Sequence, residues 1–177
     1  VGQQFDINIP GSILTPGGFA TMGFGPSGAI GAKMAAPEKV VISLVGDGGF
    51  GQNPSVLATA VENQLGIVWI VMNNNAFGTI AGLQKAHYGL TYGTTFQGSA
   101  SKPENNPDYA AIARAYGAQG IHISSAEELL PALFHAIESK LPTLINVPMI
   151  NNPTPTTGHW NILDIYSPDK NVSHVAT

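Results

Sequence analysis

Two short, almost wholly apolar runs restrict the fold of this chain more than any other feature. One is "KVVISLV" from Lys39 and the other "GIVWIVM" from Gly66 to Met72, and between them Val56, Leu57, Ala60, Val61 and Leu65 recur at helical spacing. A β-branched run without apolar–polar alternation suits a strand covered on both faces, which is the setting of a parallel sheet flanked by helices. Strand, helix and strand over residues 39–72 therefore form one β-α-β unit with a right-handed crossover. Asn53 is the expected N-cap of the connecting helix and Pro54 its first residue.

The alternation continues. The pattern predicts a helix from about Phe77 to Ala86, then a loop rich in Gly, Thr, Ser and Pro through Pro107. "DYAAIARAYGAQG" reads as a helix closed by Gly117, "GIHI" as a short strand, "SSAEELLPALFHAIESK" as a helix opening at Ser124 or Ser125, and "PTLINVPMI" as the last strand. Strands alternating with helices in this way predict an α/β fold: a doubly wound, mainly parallel sheet flanked by helices. Upstream, a helix is expected from about Ser27 until shortly before Pro37. The first 25 residues hold six glycines and read as a loop of the kind that lines a site. With 177 residues there is room for one such domain, expected over residues 1–150, and residues 151–177 read as an irregular surface tail.

In an open parallel sheet, ligands sit beyond the carboxyl ends of the strands. Asp47 follows the first apolar run and Asn73, Asn74 and Asn75 end the second, so their oxygens are expected to face one crevice. A carboxylate, amide oxygens and loop carbonyls are hard donors, suited to magnesium or calcium rather than zinc. Gly46, Gly48, Gly49 and Gly51 let backbone N–H groups approach an anion, and the helix expected near Pro54 aims its positive end at the same place. The implied ligand is a diphosphate bridged by a divalent cation. Taken alone, Asp47 could serve only to cap the turn between Gly46 and Gly48; the asparagines at the next strand end weigh against that reading.

Competing phosphate motifs fail on context. "GFGPSG", Gly23–Gly28, has the G-x-G-x-x-G pattern of dinucleotide sites, but no strand precedes it, and Lys33 follows alanine, which rules out a P-loop. Seven basic residues, of which Arg114 is the single arginine, offer no stripe for nucleic acid. The absence of cysteine excludes thiolate metal sites and a cysteine nucleophile. No apolar run approaches the length of a membrane span, and a cytoplasmic location is the default expectation. Only 10% of the residues are charged, which points to surface covered by another chain or domain. The five histidines show no metal-binding spacing.

"GDG" at Gly46–Gly48, followed about two dozen residues later by "NN" at Asn73–Asn74 with a helix and strand between, resembles the signature of thiamine-diphosphate-dependent enzymes. The similarity is to their C-terminal, diphosphate-binding domain, in the acetolactate synthase and 2-oxo acid decarboxylase branch. It runs from about Thr15 to Pro148 and includes "GGFATMGFGPSGAIGAKMA", "ATAVEN", "DYAAIARAYGAQG" and "PTLINV". The resemblance implies thiamine diphosphate and Mg2+ as cofactors, with Asp47, Asn74 and the Ala76 carbonyl as metal ligands. Gly46, Gly48, Gly49, Phe77 and Gly78 would complete the cofactor site. Met22 would be the apolar wedge under the cofactor's bent form, although composition alone makes it an ordinary core residue. The carbonyl of Ala20, a glycine in acetolactate synthases, would meet the aminopyrimidine. Phe77, Ile80 and His87 are candidates to line the substrate pocket; for Phe77 and Ile80 core packing is the competing reading.

The activity so implied is that of a lyase or carboligase that cleaves or forms the C–C bond beside the carbonyl of a small 2-oxo acid, with the cofactor as electron sink. Hydroxyacyl-CoA lyase, oxalyl-CoA decarboxylase and diketone hydrolase are the alternatives, as is a binding module without activity of its own. The activating glutamate of such enzymes belongs to an N-terminal pyrimidine-binding domain that nothing here matches. A companion domain or chain is expected, within a homodimer or tetramer.

Overall fold

The structure, a computed structural model, describes residues 6–96 and 107–151. The predicted tail beyond Asn151 and residues 97–106 of the predicted Gly/Thr/Ser/Pro loop lie outside the described residues. In chain order the elements are α1 (Phe24–Ala35), β1 (Val41–Gly46), α2 (Asp47–Phe50), α3 (Val56–Glu62), β2 (Ile67–Asn73), α4 (Gly78–Tyr88), α5 (Tyr109–Ala115), β3 (Gln119–His122), a 3-10 turn (Ala126–Glu128), α6 (Leu129–Ser139) and β4 (Thr143–Pro148).

The four strands form one sheet in the order β1-β2-β4-β3, and every pairing is parallel. This order explains the layers. The steps from β1 to β2 and from β2 to β3 run the same way across the sheet, so right-handed connections put α3 and α5 on one face; the step from β3 back to β4 reverses, and α6 falls on the other. The packing agrees. Ile67, Trp69 and Val71 of β2 meet Ala29 of α1, Leu57 and Ala60 of α3 and Tyr109 and Ala113 of α5. Val68 and Ile70 meet Leu129, Leu133 and Ala136 of α6. The alternate residues of β2 thus feed two cores, which is why its sequence shows no polar face. Trp69 is fully buried and its Nε1 donates to the Pro26 carbonyl at 3.4 Å.

Several expectations need adjusting. α1 starts at Phe24, behind a left-handed Gly23 with φ of 90°, rather than near Ser27. The first strand was expected to be covered on both faces, yet Ile42 and Leu44 are each 44% exposed, because α6 lies over β2 and β4 and does not reach β1. The helix expected to open at Asn53–Pro54 begins at Val56. Asn53 instead ties two segments together, donating to Ser27 Oγ at 2.9 Å and accepting from Ser55 Oγ at 2.6 Å. The helical turn at the glycine cluster is α2, which starts at Asp47 itself. No helix among the described residues is long and apolar enough to cross a membrane.

Candidate functional site

β1 ends at Gly46, and the chain turns at once into α2. The Asp47 carbonyl accepts from Gly51 N–H at 2.8 Å and from the Tyr109 hydroxyl at 3.2 Å. Phe50, fully buried, stands edge-on to the Tyr109 ring with centroids 5.8 Å apart. The turn is therefore pinned from below by α5. Tyr109 was not singled out in the sequence; only the fold brings it under the glycine cluster.

The Asp47 side chain is 1% exposed. Its Oδ1 accepts from Gly48 N–H at 2.9 Å and its Oδ2 from Ala76 N–H at 3.2 Å. One carboxylate thus links the end of β1 to the loop after β2, the two strand ends expected to share a crevice. Burial holds its pKa above the ordinary 3.8, against the opposing pull of the backbone N–H groups of Gly48 and Ala76. The Tyr109 hydroxyl is pushed up to about 12, by its own burial and then by the charge of Asp47.

The second wall is the loop Asn74–Phe77. Asn75 has left-handed backbone, φ 56°, which asparagine tolerates better than most side chains. The loop is clamped by the segment Thr94–Phe96: Phe77 N–H donates to the Thr94 carbonyl at 2.8 Å and Phe96 N–H to the Asn75 carbonyl at 3.0 Å. Asn75 Nδ2 donates to the Phe96 carbonyl at 3.2 Å, and the rings of Phe77 and Phe96 meet edge-on at 4.8 Å. This clamp could not be read from spacing, because a three-residue pairing carries no periodic signal.

The glycines make room for side chains. A Cβ at Gly48 would lie 2.6 Å from the Phe77 ring and 3.2 Å from Met22 Cε, so Met22, Gly48 and Phe77 converge on one spot. Met22 is 41% exposed, which removes the core-packing reading. A Cβ at Gly78 would lie 2.6 Å from Asn74 Nδ2, so Gly78 leaves space for that amide. At Gly49 the neighbour is Val45, at 2.9 Å. Ala20 adopts left-handed backbone with φ of 48°, a conformation that costs an L side chain about 1 kcal/mol and that glycine would take freely. Ile80 is 44% exposed, so core packing does not account for it. His87 lies in the last turn of α4, about 13 Å along the helix from Gly78, beside Tyr88. A cavity of about 230 Å³ at the carboxyl ends of β2 and β4 is lined by Asn73, Asn74, Asn75, Thr95, Pro148, Met149 and Asn151.

Among the described residues no three His, Cys, Asp or Glu side chains gather into a metal site. A cation in this crevice would rest on one carboxylate plus amide and carbonyl oxygens, a sparse, hard donor set that suits a magnesium ion sharing its shell with water and phosphate oxygens. The buried, charge-disfavouring setting of Asp47 fits it, since a bound cation offsets the cost of ionising the carboxylate. The sign of the pH dependence follows. Without a cation, the raised value means that Asp47 contributes stability below pH 3.8 and loses it as pH rises through its folded value. Mg2+ should reverse this slope and should bind progressively worse as pH falls through the same window. Thermal melting against pH, with and without Mg2+, measures both, and Asp47→Asn should flatten both curves.

The parallel sheet thus brings a glycine-lined turn and hard oxygens together at adjacent carboxyl ends, an arrangement with the donors to accept an anion and a hard cation. The chain belongs to the thiamine pyrophosphate enzyme family: residues 1–147 match the model of its C-terminal TPP binding domain. It is 36% identical over 143 residues, 81% of this chain and 23% of the relative, to a probable acetolactate synthase large subunit of Methanocaldococcus jannaschii. It is likewise 36% identical over 158 residues, 88% of this chain and 24% of the relative, to the 3D-(3,5/4)-trihydroxycyclohexane-1,2-dione hydrolase of Shouchella clausii. Among solved structures, the thiamine diphosphate-dependent 4-hydroxybenzoylformate decarboxylase of Rhodococcus jostii RHA1 matches with a TM-score of 0.64 and 28% identity, over 75% of this chain and 24% of that one. The chain spans about a quarter of the length of the curated relatives it matches.

Proposed function

We propose that this chain is the cofactor-binding half of a thiamine-diphosphate- and Mg2+-dependent lyase or carboligase acting on a small 2-oxo acid, in the manner of acetolactate synthase. The observation that carries the reading is the buried Asp47 carboxylate, which joins both strand ends of the crevice. Asp47, the side-chain oxygen of Asn74 and the carbonyl of Ala76 would hold the cation. The turn Gly46–Gly49 would admit the diphosphate, with Gly48 N–H already committed to orienting Asp47. Met22 and Phe77 would present an apolar face to the rings, Ala20 its carbonyl to the aminopyrimidine, and Gly78 the space that Asn74 needs. Ile80 and His87 would face substrate. When bound, thiamine diphosphate supplies the electron sink for cleavage of the bond beside a carbonyl; the residues here orient it and exclude water.

The glutamate that activates the aminopyrimidine would come from another domain or a companion chain. Large exposed apolar side chains flank the site segments, among them Leu14, Phe19, Tyr88 and Tyr92, and a second subunit in a homodimer or tetramer would cover them. A cyclic diketone is the competing substrate, because the hydrolase relative is as similar as the synthase. The chain combined with the glutamate-bearing domain or chain should convert pyruvate to acetolactate with release of CO2. Turnover of a cyclic 1,2-diketone without pyruvate consumption would move the assignment to the hydrolase branch, and no turnover of either would leave a binding module.

A further inference from the structure

Asn73, 3% exposed, and Asn146, 1% exposed, bring amide side chains into the interior at the carboxyl ends of neighbouring strands. Neither belongs to the ligand set proposed above. Their hydrogen bonds form a chain whose direction can be deduced. Asn75 N–H, which can only donate, points to Asn73 Oδ1 at 3.2 Å. Asn73 Nδ2 then faces the Pro107 carbonyl, which can only accept, at 3.3 Å, and Asn146 Oδ1 at 3.3 Å. Two backbone groups of opposite character therefore fix the orientation of the Asn73 amide. That orientation fixes Asn146, whose Oδ1 accepts from Asn73 and whose Nδ2 donates to His122 Nδ1 at 2.9 Å. His122 Nδ1 must then be the unprotonated nitrogen, with the ring proton on Nε2.

From this geometry we infer that Asn73 and Asn146 are positioning residues, holding the Asn74–Ala76 loop in its ligand-presenting shape through a one-directional hydrogen-bond chain that ends on His122. The inference rests on the reading of Asn74 and Ala76 as cation ligands. The chain crosses from β2 over β4 to β3 and meets the loop at Asn75, whose left-handed backbone sets the direction in which Asn74 and Ala76 point. Reversing any one amide would set donor against donor or acceptor against acceptor within the interior, so the arrangement is locked as a unit. Outer partners of this kind typically affect metal affinity ten- to a hundredfold.

The test compares two substitutions at one position. Asn146→Leu keeps similar volume and breaks the chain; Asn146→Asp keeps both contacts, its carboxylate accepting from Asn73 Nδ2 and from His122 Nδ1–H once the ring proton moves there from Nε2. Three readouts are needed on the full chain: the His122 ring tautomer by nitrogen NMR, hydrogen exchange of the Asn75 amide, and Mn2+ affinity in the presence of thiamine diphosphate. In the unmodified chain the ring proton should sit on Nε2. Asn146→Leu should speed Asn75 exchange and weaken Mn2+ binding by roughly tenfold or more, and Asn146→Asp should restore both while moving the ring proton to Nδ1. A neutral ring protonated on Nδ1 in the unmodified chain, or Asn75 exchange unchanged in Asn146→Leu, overturns the inference. If Asn146→Leu does not fold, Asn146→Ala takes its place in the same three readouts, with the same expected and contrary results. Mn2+ binding lost in Asp47→Ala but kept in Asn146→Leu removes the positioning role and leaves the cofactor site standing. No Mn2+ binding by the unmodified chain removes the cofactor site, and the exchange and tautomer results then decide the hydrogen-bond chain alone.

Discussion

Asp47→Ala should abolish cation-dependent binding of thiamine diphosphate, with an affinity loss of roughly a hundredfold or more, which is about 3 kcal/mol. The substitution removes the only carboxylate among the proposed ligands and the group that ties the two walls of the crevice together. Its effect on folding should be smaller, because two opposing terms meet. Gly48 and Ala76 N–H groups lose their acceptor, at about 1–3 kcal/mol each if left without water, while the cost of keeping a buried carboxylate disappears. Calorimetric titration with thiamine diphosphate and Mg2+, alongside thermal melting, separates the two. Unchanged affinity in Asp47→Ala and in Asn74→Ala would remove the metal assignment.

The largest expected loss of stability lies away from the crevice, at Gly120. A Cβ on this residue of β3 would fall 2.0 Å from the Ala110 carbonyl oxygen and 2.7 Å from its carbon. Both are backbone atoms of α5, so no rotamer change relieves the overlap; the helix must move off the sheet. Arg114 Nη1 donates to the Gly120 carbonyl at 2.8 Å in the same contact. Gly120→Ala should cost roughly 3 kcal/mol, at the upper end of overpacking effects, and lower the melting temperature by about 6–12 °C. Because α5 carries Tyr109, which holds the Asp47 carbonyl, cofactor binding should weaken as well. Gly31→Ala is the control: a Cβ there meets nothing within 4 Å, inside α1, and should stabilise by up to about 1 kcal/mol. Equal melting temperatures for the two variants would contradict the packing described.

The parts of the fold legible in the sequence were those with a repeating physical cause. Two apolar runs and a helical stripe announced the β-α-β unit, and Gly117, with φ of 85°, ended the α5 segment where a left-handed residue was needed. What was missed depends on partners far along the chain. The start of α3 is displaced because Asn53 is held by Ser27 and Ser55 instead of capping the helix. The exposure of Ile42 and Leu44 follows from where α6 lands, which strand order decides and apolar content does not. At the site, Asp47 and Asn74 stood out as candidates because glycines and strand ends mark them, whereas the Asn73 amide, expected to face the crevice, is turned into the interior toward Asn146. Tyr109, Thr94, Phe96 and Asn146 did not stand out, because each acts through a contact that exists only once the sheet is assembled.

On this reading a cation bridges the strand ends and a diphosphate. The most direct measurement is anomalous diffraction from crystals grown with Mn2+ and thiamine diphosphate. One peak should lie within coordination distance, about 2.1 Å for a magnesium-type site, of an Asp47 carboxylate oxygen, the Asn74 side-chain oxygen and the Ala76 carbonyl, with phosphate oxygens completing its shell. A diphosphate bound elsewhere, or a peak that Asp47 does not touch, would contradict it.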